Sequence, residues 1–247
     1  MTWSIVGDCV AGTSHHLRNT PCQDAFRYRT FGPMAKWLAV AVADGAGSAS
    51  HSRIGATLAC DEFIRLLEAR ERDWPLTGEQ MTGLFAEVRS AVVAEAERLD
   101  IRPREMACTL LVAIVGTSSA SFAQIGDGVI VINERDGFRT VFWPEPAEYV
   151  NTTDFLTDDQ FTEKIRFETT TNPVTELAAL TDGLQRLALD FAERSPHAAF
   201  FRPLFDRLKS VADPESLLQP LRDFLDSPRV NNRTDDDKTL LLAVRRP

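Results

Sequence analysis

The sequence predicts an α+β protein whose helices and strands are segregated into layers. Short apolar runs follow one another through the middle of the chain, and apolar residues at helical spacing flank them on both sides. Strands follow strands instead of alternating one for one with helices, which disfavours a doubly wound sheet. A length of 247 residues can bury a substantial core. No internal repeat or Ser/Gly-rich linker divides the chain, so the reading is one domain over residues 1–247.

The elements follow in order. The run ending Leu38-Ala39-Val40-Ala41-Val42-Ala43 reads as a buried strand stopped by a turn at Asp44-Gly45. Ala56, Cys60, Phe63 and Leu67 then define one face of a helix from about Ser52 to Ala69. Leu84, Val88, Val92, Ala96 and Leu99 define a second helix, with Pro103 beyond its end. Ala107 to Val115 and Ser119 to Ile125 are strands joined at Gly116-Thr117-Ser118. Val129 to Asn133 and Phe138 to Trp143 flank Asp136-Gly137, a strong hairpin signal. The polar, aperiodic stretch near 145–162 reads as a surface flap. Val174 to Leu180 is a further strand, again followed by an acid and a glycine, Asp182-Gly183. Two helical stripes come next, one of Phe201, Leu204, Leu208 and Val211, the other of Leu217, Leu221 and Phe224. Lys238 to Val244 is the last strand.

Composition narrows the function. With 27 Lys+Arg against 36 Asp+Glu, the net charge is -9. A broad basic face for nucleic acid is excluded, because phosphate neutralisation needs clustered cations. Cys9, Cys22, Cys60 and Cys108 form no Cys-x-x-Cys pair, so neither a zinc ribbon nor a disulfide scaffold follows. No apolar run is long enough to span a bilayer, and Met1 to Ile5 lacks the pattern of a signal peptide. The expectation is a cytoplasmic protein with neither nucleic acid nor membrane as partner. Oligomeric state is not encoded in any motif.

The informative feature is a set of acids at strand ends. Asp44, Asp127 and Asp182 each lie at the end of an apolar run and are each followed by glycine, and Asp235-Asp236-Asp237 precede the last strand. An Asp-Gly pair is most often a plain turn, and an acidic run is most often solvated. Recurrence of one arrangement, strand then acid, is what points to function. Strand ends gather at a sheet edge, and converging carboxylates tolerate burial only with a counter-charge. Oxygen ligands without a Cys or His pattern favour a hard ion, Mg²⁺ or Mn²⁺, over zinc. A structural Ca²⁺ site is the blander form of the same reading.

Gly12-Thr13-Ser14-His15, Pro21-Cys22-Gln23-Asp24-Ala25 and Val42-Ala43-Asp44-Gly45-Ala46-Gly47-Ser48 together resemble the start of the metal-dependent Ser/Thr protein phosphatases of the PPM (type 2C) family, bacterial branch. Gly126-Asp127-Gly128, Thr181-Asp182-Gly183 and Asp236-Asp237-Lys238-Thr239 follow in the family's order. The resemblance implies a four-layer α-β-β-α sandwich, two antiparallel sheets flanked by helix pairs. It also implies a centre of two Mn²⁺ or Mg²⁺ ions, with a third, weaker ion. By position, Asp44 bridges the two metals and the Gly45 carbonyl ligates one, Asp182 and Asp236 hold the other, and Asp127 serves the third. Asp24 acts through metal-bound water. The implied reaction is hydrolysis of phosphoserine or phosphothreonine in a protein substrate by a metal-activated water, with no nucleophilic Ser or Cys. In this family a flap beside the cleft helps to select substrate.

The chain departs from the family pattern at three places. Gln23-Asp24 stands where Glu-Asp is usual. Asn19 sits near the offset of the family's phosphate-binding arginine, leaving Arg18, one place away, and His15 as candidate cations. Gly128 follows Asp127 where a hydroxyl residue is more usual. These departures give the alternative, a catalytically impaired regulatory module of the same fold that binds a phosphoprotein or partner.

Overall fold

A computed structural model describes residues 2–32, 36–70, 75–134, 137–144 and 153–246. The strands are β1 (Thr2–Val10), β2 (Ala25–Phe31), β3 (Trp37–Ala43), β4 (Leu110–Val115), β5 (Ala120–Ile125), β6 (Val129–Glu134), β7 (Gly137–Thr140), β8 (Arg166–Thr170), β9 (Glu176–Leu180), the short pair β10 (Leu189–Asp190) and β11 (Ser195–Pro196), and β12 (Lys238–Arg246). The helices are α1 (Thr13–Arg18), α2 (Ser52–Glu68), α3 (Gly78–Arg98), α4 (Phe161–Lys164), α5 (Gln185–Ala188), α6 (Ala198–Ser210), α7 (Leu218–Leu225) and α8 (Pro228–Asn231).

Two antiparallel sheets carry the fold, ordered β1-β12-β9-β6-β7 and β2-β3-β4-β5-β8. The central strands are buried along most of their length because both of their faces are covered. In β3, Ala39, Ala41 and Ala43 join Cys60, Phe63, Phe85 and Val88 of α2 and α3 in one core. The alternate residues Leu38, Val40 and Val42 face the other sheet, where Ile130, Ile132, Leu177, Ala179, Leu241 and Ala243 meet them. On the far side, Leu240, Leu242 and Val244 of β12 pack with Phe201, Phe205, Leu221 and Leu225 of α6 and α7. The result is the four-layer α-β-β-α order the sequence implied, with helix pairs outside and sheets inside.

Differences from the sequence reading have local causes. α3 starts at Gly78, before the first apolar stripe residue, because Thr77 and Gln80 form a reciprocal capping box. β1, β2 and β8 were not expected, and all three are sheet edges, where one open flank lets polar residues interrupt the apolar pattern. Asp136 and residues 145–152 of the expected flap lie outside the described residues. The flap's described part, 153–160, leads directly into α4.

Candidate active site

Antiparallel register is what brings the acids together. Ala25 at the start of β2 pairs with Ala43 at the end of β3, so Asp24 and Asp44 leave the sheet at the same edge. Leu180 at the end of β9 pairs with both Leu240 and Val129, which sets Asp182 beside the β12 entry and the β5–β6 turn. Asp236 and Asp127 occupy those two positions. Asp44, Gly45, Asp127, Asp182, Asp236 and Gln23 accordingly line one cleft of about 150 Å³.

Local hydrogen bonds fix each contributor. The Asp44 N–H donates to Thr109 Oγ1 at 2.9 Å, and the Asp44 carbonyl accepts from the Thr109 N–H at 2.8 Å. Gly45 bridges to Cys108, and a Cβ there would stand 2.7 Å from the Gln23 carbonyl, so only glycine fits. Gly126 adopts φ +98°, which turns β5 sharply into Asp127. Gln185 donates to the Asp127 carbonyl at 2.6 Å and Thr153 to its Oδ2 at 3.1 Å. Asp24 Oδ2 accepts from the hydroxyls of Thr181 and Thr239, each at 2.7 Å. Thr181 follows the last residue of β9 and Thr239 is the second of its partner β12; the sequence shows them inside its motifs, but their joint grip on Asp24 depends on the fold.

The electrostatics are severe. Burial pushes the Asp24 carboxyl up to about 8, with the Thr239 and Thr181 hydrogen bonds opposing it and Asp237 and Asp182 adding repulsion. Burial also raises Asp182 to about 7, reinforced by Asp127 and Asp236. Asp44 is held well above the carboxylate range, first by burial and then by repulsion from Asp24, Asp182, Asp236 and Asp127. Asp127 is raised as well, chiefly by burial. Asp24 Oδ1 and Asp182 Oδ1 are buried without a partner. Among the described residues, no group of three or more His, Cys, Asp or Glu side chains stands ready to hold an ion. The donor set nonetheless suits a hard divalent cation: every candidate ligand is an oxygen, and two buried carboxylate oxygens lack any other use.

The two candidate phosphate cations are elsewhere. Arg18 is exposed in the last turn of α1, and neither it nor His15 lines the cleft. His15 is buried, with Nδ1 2.8 Å from Asp237 Oδ1, a close contact without the alignment of a good hydrogen bond. Asp237 also accepts from the Gly12 N–H at 2.7 Å and the Gln23 N–H at 2.6 Å. This carboxylate ties the β1–α1 turn and the approach to Asp24 onto β12. Asp237→Ala is expected to strand two buried N–H groups and cost about 2–4 kcal/mol of stability. A urea titration of the metal-free protein reads the loss, and Asp237→Asn, which keeps one acceptor, should lose less.

The chain belongs to the protein phosphatase 2C family, whose model matches residues 11–226. It is an enzyme of that class, a phosphoric monoester hydrolase of the metal-dependent Ser/Thr protein phosphatases. It is 38% identical over 250 residues to serine/threonine-protein phosphatase 3 of Escherichia coli (strain K12), covering 99% of each chain. Two solved structures share the fold at lower identity. The serine/threonine phosphatase Stp1 from Staphylococcus aureus aligns with TM-score 0.66 and 15% identity, over 100% of this chain and 96% of that one. RsbX, solved in complex with magnesium, aligns with TM-score 0.56 and 16% identity, over 98% and 94%. No helix among the described residues is long and apolar enough to cross a membrane.

Proposed function

We propose that this protein, as one domain over 1–247, removes phosphate from phosphoserine and phosphothreonine in proteins with two Mn²⁺ or Mg²⁺ ions. Asp44, the Gly45 carbonyl, Asp182 and Asp236 would hold the pair, and Asp127 would contribute to a third, weaker position. The observation that supports this most is that acids from four strand ends line one cleft, in which the buried Asp182 Oδ1 and Gln23 Oε1 lack protein partners. Bound there, divalent ions would neutralise phosphate oxygens and activate water for in-line attack at phosphorus.

The chain's own residues prepare that chemistry. A dianionic phosphate approaching four carboxylates on a -9 protein is repelled, so substrate affinity depends on reversing the local sign. Thr181 and Thr239 hold one oxygen of Asp24 and leave Oδ1 free to orient a water. Gln23 lines the same cleft with its Oε1 unpartnered, a neutral acceptor where an acid would add to the repulsion. Uncatalysed phosphate-monoester hydrolysis is very slow, and electrostatic stabilisation of the transition state is the main lever this site offers.

The test is turnover of a phosphopeptide by purified protein with Mn²⁺, Mg²⁺ or EDTA, beside calorimetry of Mn²⁺ uptake. Activity with either ion and none in EDTA is expected, and Mn²⁺ at ~100 times its Kd should add ~2.7 kcal/mol of stability. Absence of turnover and uptake together would leave the non-catalytic regulatory module. Stabilisation by Ca²⁺ without turnover under any metal would leave a structural ion site.

A further inference from the structure

We propose that the groove running out from the acid cleft selects substrates with acidic residues beside the phosphorylated side chain, through Arg186 and Arg233. This deepens the phosphatase reading and rests on it. The groove, of about 650 Å³, shares Asp182 and Asp236 with the smaller cleft, so a peptide presenting its phosphate there must lay neighbouring residues in the groove.

Its walls carry the cations that the acid cleft lacks. Arg186 comes from α5, four residues after Asp182, and Arg233 from the segment between α8 and β12. Both are exposed, and neither makes an ion pair among the described residues. Several arginines elsewhere on the surface are neutralised, Arg27 by Asp61, Arg65 by Glu62, Arg98 by Glu95 and Arg222 by Asp8, and the exposed Arg18, Arg53, Arg202, Arg207 and Arg229 do not line the groove. An unneutralised guanidinium pair on an acidic chain, next to the place of reaction, is a recognition feature for carboxylates, which it can engage with two parallel hydrogen bonds. With Asp182 and Asp236 committed to cations, Asp235 is the one acid in the groove left to oppose the two arginines. Phe191, half exposed and packed edge-on against Trp143, offers an apolar rest for the peptide between them.

The groove's floor is fixed rather than loose. Asn231 donates to the Asp226 carbonyl at 2.9 Å and accepts from the buried Lys238 ammonium at 2.5 Å. The segment bearing Arg233 is thereby anchored to β12, and Arg233 itself donates its N–H to the Val230 carbonyl at 2.8 Å.

The experiment compares kcat/KM on three phosphoserine peptides of equal length, flanked by Glu, by Ala or by Lys. Wild type should prefer the Glu peptide to the Ala peptide by about tenfold at low ionic strength, the preference shrinking as salt is added. Arg186→Glu/Arg233→Glu should invert the order towards the Lys peptide. No preference in wild type, or the same order in the double variant, overturns the proposal. Equal loss on all three peptides also overturns it, because the arginines would then be gripping the scissile phosphate. Should there be no turnover at all, the phosphatase reading has failed, and the groove is read separately. Anisotropy of a labelled Glu-rich peptide on Mn²⁺-saturated protein should still show tighter binding to wild type than to the double variant; equal binding rejects the groove assignment.

Discussion

Asp44→Asn is expected to abolish phosphopeptide turnover while making the metal-free protein more stable. The two effects have opposite signs because the same carboxylate would serve a bound cation and is harmful without one. Asp44 faces repulsion from Asp24, Asp182, Asp236 and Asp127, in a setting that already penalises its charge through burial. Asparagine keeps the shape and removes the charge. The turn itself is held by the Asp44 backbone on Thr109, not by the side chain, so the substitution leaves the local fold in place. A gain on the order of 1–3 kcal/mol in EDTA follows from relieving the crowding. Turnover should fall by at least about 10³-fold, the scale on which preorganised charge at a reaction centre acts. Melting curves in EDTA and in Mn²⁺, with kcat on one phosphopeptide, check both halves. A variant that keeps Mn²⁺-dependent turnover would show that Asp44 is no ligand, and one less stable in EDTA would show that repulsion is not the dominant force there.

The sequence exposed the layers and the acids for the same reason: both are written locally. A central strand covered on both faces is a continuous apolar run, and it ends where the chain must meet solvent or an ion. That made β3, β4, β5, β6, β9 and β12 legible, together with the Asp after β3 and the Asp-Gly pairs near the ends of β5 and β9. Edge strands lack that signature. β2 exposes Arg27, Tyr28 and Arg29, a pattern that does not distinguish it from a loop. Partnerships across the fold were the least legible. Thr181 and Asp24 are 157 residues apart, and only the packing of the two sheets face to face explains why a hydroxyl from one strand end meets an acid from another sheet. His15 illustrates the reverse case. Its place near a phosphate-binding motif suggested a ligand contact, yet the fold turns it onto Asp237, whose own importance is invisible in a run of three acids. Arg186 and Arg233 sit in no motif, and only the groove between α5 and the β12 approach brings them to one surface.

Metal-free protein should lose stability as pH rises from about 5 to 8, the reverse of ordinary acid unfolding. The sign follows from the direction of the shifts. Asp24 near 8 and Asp182 near 7 both lie above the ordinary aspartate value of 3.8, so folding favours their protonated forms. Their contribution is complete below that ordinary value and is lost as pH climbs through the folded-state values. Asp44 and Asp127 shift in the same direction. Carboxylates with lowered values, such as Glu62 beside Arg65 and Glu95 beside Arg98, act below about pH 4.5 and leave the window to the cleft. These four acids interact, so the loss is spread over the interval, on the order of a few kcal/mol in all, or roughly 5–10 °C in Tm for a chain of this size. Cations held by these aspartates would invert the slope. They would compete with protons for the same oxygens, so their stabilisation would grow with pH, and binding would release protons to the medium. Melting curves from pH 5 to 8 should therefore diverge, the EDTA series falling and the Mn²⁺ series holding level or rising. Parallel curves would mean that the ion binds away from these aspartates, whatever its effect on turnover.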